Sequence, residues 1–236
     1  MYKGRKIKTP YFGVNPKSYI YGDDVIDLAI GCDKLAQKYD VDIFFTAQLI
    51  DLPDVIRHTK RLIITAQAMD PIVAGRGMGK ILPDALKNAK VMAVTLNHCE
   101  NPLTVSQLTR AIEIADKMGF ITQVCANSLM DAKAIAQMAP NIIICEQDNS
   151  IASSMIADEN YMRESTQAIK AINPEILVTQ AGSVNSAMDV YNILSRGSDG
   201  TGGTSNIMLA ADRVKKVEEM LQGLVKYREE KKNEWI

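Results

Sequence analysis

Short apolar runs alternate with amphipathic segments about eight times along the 236 residues, and this alternation restricts the fold more than any other feature. Ile142–Cys145 contains three consecutive isoleucines, which is typical of a strand buried on both faces of a parallel sheet. Asp23–Lys38 instead repeats its apolar residues at helical spacing. About eight strand–helix units without a domain-sized linker predict an α/β protein with a (β/α)₈ barrel, a single domain over residues 1–236. A doubly wound open sheet is the alternative.

The pattern also predicts where each element lies. Strands are expected over residues 10–15, 42–46, 62–66, 91–96, 120–125, 141–145 and 176–180, with a weak eighth strand around 199–200. Helices are expected over residues 23–38, 52–58, 83–88, 104–118, 128–138, 161–172, 185–194 and 205–228. Thr104 should cap the fourth of these helices.

Composition excludes several classes of protein. Hydrophobic residues make up 47%, charged residues make up 23%, and the formal net charge is -1, so neither nucleic acid nor a membrane is an expected partner. The basic N-terminus lacks the apolar stretch of a signal peptide, and cytoplasm is the expected location. Four widely spaced cysteines and two histidines argue against a zinc site. We expect the cysteines to be reduced, with Cys125 and Cys145 inside strands.

Polar groups follow several predicted strands at the point where each strand ends. Lys17 follows the first, His98 the fourth, Glu146 the sixth and Ser183 the seventh. In a barrel these ends meet at one mouth, where the active sites of this fold are built. A carboxylate, an imidazole and an ammonium group together predict proton transfer next to a carbonyl. Alternatively, Glu146 only marks the end of a strand and is solvated.

Two glycine-rich stretches lead to different expectations. Residues 199–205 are expected to form the last strand–helix turn and to offer backbone N–H groups to an anion, most commonly phosphate. Gly75–Lys80 lacks the spacing and the Ser or Thr of a nucleotide-binding loop. The loop over 69–79 is instead expected to contact a neighbouring subunit.

Together these blocks resemble the triosephosphate isomerase family, especially its shorter archaeal-type members. The matching blocks occur in the family's order and cover nearly the whole chain: Val14–Lys17, Gly79–Ala85, Leu96–Glu100, Val124–Asn127, Glu146, Ala181–Val184 and Gly202–Gly203. The resemblance implies the TIM barrel fold of that family.

The resemblance also implies a role for each catalytic residue. Glu146 would be the base that moves a proton between adjacent carbons, and His98 a neutral electrophile kept uncharged by a helix N-terminus. Lys17 would supply positive charge to the substrate, Asn15 would help to position it, and Glu100 would pair with Lys17. No metal and no organic cofactor is implied.

Substrate binding is implied for a second set of residues. Ser183, Gly202 and Gly203 would hold the phosphate, together with a lid after Glu146 that includes Ala152.

The lid region departs from the family pattern. Gln147 stands where the family has proline, and Ala152–Ser154 replace a Gly-Thr-Gly tip. The arginines that usually continue the histidine block are replaced by Asn101 and Pro102. Because alanine does not allow the close backbone approach that glycine allows, these changes predict an altered substrate or altered lid motion.

The expected activity is therefore aldose–ketose isomerisation of a small phosphorylated sugar. Dihydroxyacetone phosphate and glyceraldehyde 3-phosphate are the first choice of substrates, with an enediolate intermediate. Two alternatives stay open, a paralogue acting on a four- or five-carbon sugar phosphate and a barrel that binds a phosphosugar without converting it. A homodimer or homotetramer is expected from the resemblance.

Overall fold

The computed structural model describes residues 6–146, 159–182 and 184–233. Within these ranges eight parallel strands pair in chain order and close into one barrel, because β1 pairs with both β2 and β8. The strands are β1 (Tyr11–Val14), β2 (Ile43–Ala47), β3 (Ile63–Ala66), β4 (Ala93–Leu96), β5 (Ile121–Ala126), β6 (Ile142–Cys145), β7 (Leu177–Gln180) and β8 (Gly200–Gly203). The predicted (β/α)₈ barrel is confirmed, and the open sheet is excluded.

Helices follow the strands around the outside of the barrel. In the described ranges they are α1 (Asp23–Tyr39), α2 (Leu52–His58), α3 (Pro83–Asn88), α4 (Val105–Met118), α5 (Leu129–Ala136), α6 (Glu159–Ile172), α7 (Ala187–Ser195), α8 (Ser205–Met208) and α9 (Arg213–Asn233). Each of them is too short or too polar to cross a bilayer. Thr104 caps α4 as expected, since its side chain accepts the N–H of Gln107 while the Gln107 side chain accepts the N–H of Thr104.

Two apolar clusters stabilise the barrel. The larger cluster lies between the sheet and the helices. The smaller one fills the barrel interior near the N-terminal ends of the strands, with side chains from six strands: Tyr11, Phe44, Ile63, Ala93, Ile121 and Ile142. Because side chains alternate between the two faces of a strand, these six residues identify the inward-facing positions. Cys125 and Cys145 are buried in β5 and β6, as predicted.

The eighth strand and the final helix differ from the prediction. Gly200–Gly203 form β8, so most of the glycine-rich stretch expected to be a turn is a strand. Gly202 allows β8 to approach β1 closely, because a Cβ at this position would lie 2.3 Å from the carbonyl oxygen of Gly13. The single helix expected over 205–228 is two helices, α8 and α9. Arg213 Nε donates to the carbonyl of Met208 at 3.2 Å, which satisfies a group at the end of α8.

Candidate active site

A cavity of about 540 Å³ opens at the C-terminal ends of the strands. It brings together the described residues expected at the site, which come from distant parts of the chain: Asn15, Lys17, His98, Glu100, Glu146, Gly202 and Gly203. Ala152 and Ser183, the other two expected residues, lie outside the described part of the chain.

Lys17 is held in an unusual backbone conformation just beyond β1. Its φ of 47° lies in the left-handed region, which non-glycine residues rarely adopt. The N–H of Lys17 donates to Asn15 Oδ1 at 2.9 Å, and its carbonyl accepts from Gln67 Nε2 at 2.8 Å. Gln67 was not predicted as a site residue. The available signal was its place directly after β3, a polar residue at a strand end like the others.

The Lys17 ammonium donates to Glu100 Oε1 at 2.8 Å, which is the expected pairing. Burial opposes the charge on Lys17. The hydrogen bond and charge of Glu100, together with the charge of Glu146, outweigh burial and raise the pKa of Lys17. The hydrogen bond from Lys17 in turn lowers the pKa of Glu100. Both groups are therefore charged at neutral pH.

His98 is oriented by a tight turn that follows β4. The N–H of Glu100 donates to His98 Nδ1 at 3.1 Å, and the N–H of Asn101 donates to the carbonyl of His98 at 2.8 Å. Because Nδ1 accepts, the proton of the neutral ring is on Nε2. Burial lowers the pKa of His98, and the charge of Lys17 lowers it further while Glu100 opposes the shift.

Among the described residues, no helix begins at His98 to supply the N-terminus expected there. Helix α4 begins only at Val105, after the turn over residues 98–101 and Pro102. The turn therefore orients the imidazole through the Glu100 N–H and the Cys99 sulfur, which lies 3.6 Å from Nδ1. Burial beside a cation favours the neutral form of the ring. Asn97, at φ 57°, fixes the start of this turn, since its side chain donates to the carbonyl of Cys125 at 3.1 Å and accepts the N–H of Leu103 at 3.0 Å.

Glu146 directly follows β6. Its N–H donates to the carbonyl of Ala126 at 3.0 Å, which extends the sheet pairing one residue beyond the strand. The Glu146 charge contributes to raising the pKa of Lys17 and of Cys99. Glu146 therefore lies within electrostatic reach of the residues at the ends of β1 and β4.

The end of β8 completes the mouth. The N–H of Asn15 donates to the carbonyl of Gly203 at 3.3 Å, which joins the first and last strands at the site. The cavity continues past Gly203 to Ser205 and Asn206 at the start of α8. The Asn206 side chain donates to the carbonyl of Val184 at 3.1 Å, a contact that no feature of the sequence indicated.

The chain is a closed parallel barrel, and a carboxylate, an imidazole and an ammonium group surround the cavity at the C-terminal ends of its strands. These features place it in the class of (β/α)₈ barrels whose active site lies at the C-terminal ends of the strands. The family model described as triosephosphate isomerase matches residues 10–220. The chain belongs to the triosephosphate isomerase family.

Archaeal proteins named triosephosphate isomerase are similar over nearly the whole chain. The Methanobacterium bryantii protein is 29% identical over 210 residues, which cover 87% of this chain and 92% of the relative. The Methanothermus fervidus protein is 27% identical, with 90% and 97% covered. The Sulfurisphaera tokodaii protein is 26% identical, with 96% and 100% covered. The resemblance to this family, drawn from the sequence blocks, is confirmed.

Proposed function

We propose that the chain is an aldose–ketose isomerase that interconverts dihydroxyacetone phosphate and glyceraldehyde 3-phosphate, a reaction of glycolysis and gluconeogenesis in the cytoplasm. The observation that carries the proposal is the meeting of Lys17, His98 and Glu146 around one cavity in a chain of this family. The family and its named relatives give no support to a four- or five-carbon substrate or to a barrel that only binds.

Glu146 is the base in this proposal. It removes a proton from the carbon next to the carbonyl and returns it to the neighbouring carbon, so that the ketose and the aldose interconvert through an enediolate. The reaction moves protons within one molecule and needs no external oxidant. It uses no metal and no organic cofactor.

His98 and Lys17 stabilise the charge that develops on the substrate oxygens. The Nε2–H of a neutral His98 donates to these oxygens, because Nδ1 is already occupied as an acceptor from Glu100. Lys17 adds a positive charge, and Glu100 and Asn15 hold it in position. Glu100 thus supports both groups, one through its carboxylate and the other through its backbone N–H.

Phosphate binding is proposed for the end of β8, which lies next to β1. Gly202 and Gly203 line the cavity at the end of β8, where backbone can approach an anion closely. By resemblance to the family, Ser183 and Ala152 contribute the remaining contacts.

The test is a coupled isomerase assay with both triose phosphates and with the variant Glu146→Asp. This change withdraws the carboxylate by one methylene, about 1.5 Å, and is expected to lower kcat by about 100-fold or more. The matched control is Glu113→Asp, the same change at an exposed position on α4, which should leave kcat unchanged. Wild-type protein that converts neither triose phosphate would refute the proposal.

We also propose a homodimer or homotetramer assembled through the loop over 69–79. Met78 is fully exposed and Val73 is 66% exposed, an arrangement that favours burial against another subunit. Light scattering on Met78→Asp should report a smaller particle than wild type. Met130→Asp, a change at another exposed methionine on α5, is the control.

A further inference from the structure

Three polar side chains line the interior of the barrel just beneath the mouth, next to the apolar Ile144. Thr46 on β2, Thr95 on β4 and Gln123 on β5 each lie two residues after an inward-facing apolar residue and line the cavity. Barrel interiors are usually filled at such levels by bulky branched side chains. Here the cavity instead continues inward, as far as Tyr11 and Phe44.

These three side chains are buried without hydrogen-bond partners in the described part of the chain. Thr46, Thr95 and Gln123 are only 5%, 6% and 5% exposed. Other polar groups of the interior are satisfied by the protein itself, since Thr65 Oγ1 donates to the carbonyl of Ile63 at 3.2 Å and Thr179 Oγ1 lies 2.6 Å from the Tyr11 hydroxyl. The amide and the two hydroxyls line the cavity, and their polar atoms are open to it rather than sealed inside the protein. Because polar groups in protein interiors are nearly always hydrogen-bonded, these atoms point to a partner inside the cavity.

The chemistry of the three side chains selects an uncharged partner. Two hydroxyls and one amide offer both donors and acceptors but no charge. The charged groups of the cavity, Lys17, Glu100 and Glu146, stand at the mouth. A charged end of a ligand is therefore favoured at the mouth, and a hydroxyl group is favoured inside.

The spacing places this region directly below the reacting groups. Gln123 precedes Cys125, at the mouth end of β5, by two residues, which corresponds to about 7 Å along a strand. Thr95 is the β4 residue in register with Gln123, and it lies three residues before His98 on the same chain segment. A group held by these side chains would therefore lie deeper in the cavity than the ligand atoms that contact His98.

We propose that Thr46, Thr95 and Gln123 form an inner subsite that binds an uncharged hydroxyl group beneath the reacting carbons. The proposal rests on the proposed function in one respect, that a phosphorylated sugar is anchored at the mouth. The hydroxyl belongs either to ordered water, when a three-carbon ligand is bound, or to the ligand itself, when the ligand carries one more hydroxylated carbon.

Calorimetric binding of glycerol 3-phosphate and erythritol 4-phosphate tests this subsite without relying on turnover. The two probes differ by one hydroxylated carbon. If that hydroxyl occupies the subsite, Gln123→Leu should lower the affinity for erythritol 4-phosphate relative to glycerol 3-phosphate by about tenfold, the effect of losing one hydrogen bond. Thr95→Val should act in the same direction. The matched control is Thr65→Val, an interior threonine bonded to Ile63 and outside the cavity lining, which should leave the ratio unchanged.

Crystals of the glycerol 3-phosphate complex test whether ordered water supplies the hydroxyl group in the subsite. An ordered water on the Gln123 amide that is absent from Gln123→Leu supports the subsite with water as its occupant, even if the ratio does not move. An unchanged ratio together with no ligand or water oxygen within hydrogen-bond distance of Gln123 overturns the proposal, and so does failure of both probes to bind. Wild type that binds both probes but converts no triose phosphate refutes the proposed function and leaves the subsite standing.

Discussion

Replacing Gly202 with alanine should damage both the stability and the site of this protein. A Cβ at position 202 would lie 2.3 Å from the carbonyl oxygen of Gly13 and 2.8 Å from its carbonyl carbon, whereas ordinary contact begins at 3.4 Å. Relieving the overlap therefore requires β1 and β8 to separate by about 1 Å. The atoms involved are backbone, so no side-chain rotation can absorb the change. The strand that must move carries Asn15 and Lys17 at its end.

Overpacking of this kind costs about 2 kcal/mol, which corresponds to a fall in Tm of about 4–8 °C for a chain of this size. A shift of about 1 Å in Lys17 should lower kcat/KM by about 100-fold. Thermal unfolding and the isomerase assay measure the two effects. Gly13→Ala is the matched control for stability, because a Cβ there would meet its nearest neighbour, the Gly202 Cα, at 3.8 Å. If Gly202→Ala unfolds at the wild-type temperature and keeps its kcat/KM, the role assigned to this close approach is wrong.

Three further predictions concern single contacts. Because burial and Lys17 lower the pKa of His98, its imidazole should titrate below 6.5 by ¹⁵N NMR, and activity should gain nothing from His98 deprotonation above that pH. Lys17→Met should move the titration upward, and a wild-type midpoint at or above 6.5 would contradict this account. Gln67→Leu removes the donor to the Lys17 carbonyl and should cost about 1 kcal/mol in urea unfolding, with a fall in kcat/KM that a change in stability alone would not produce. Thr104→Ala removes the cap of α4 and should cost about 1 kcal/mol without changing kcat, whereas an unchanged urea midpoint would show that the cap contributes nothing.

The order of strands and helices was predictable because β2 to β5 are buried along their whole length and helices such as α4 are buried on one face. Ile142–Cys145 is a continuous apolar run, and the sequence of α4 shows both the helical spacing of its apolar residues and its capping residue. β8 was harder to delimit. Gly200–Gly203 contains three glycines in four residues, and glycine suits a turn as well as a strand that packs tightly against its neighbour. The close approach to β1 that distinguishes the two cases is a tertiary property.

The candidate site was predictable to the extent that its residues follow strands directly. Lys17, His98 and Glu146 each stand just beyond an apolar run, and a closed barrel must bring such positions together. The contacts that support these residues were harder to predict from the sequence. Gln67 reaches Lys17 across the barrel mouth, and the inner position of Gln123 depends on which face of β5 points inward. Neither the contact nor the orientation can be derived from one strand considered by itself.

The hydrogen bond between Asn15 and Gly203 has a consequence for how this protein is made. It joins residues from opposite ends of the chain, and β1 has no partner on one edge until β8 has been synthesised. A nascent polypeptide that has emerged only as far as β7 can pair seven strands but leaves an open edge, which is prone to association with other chains. Ligand recognition would thus arise in a single late event during translation, when the last strand closes the ring.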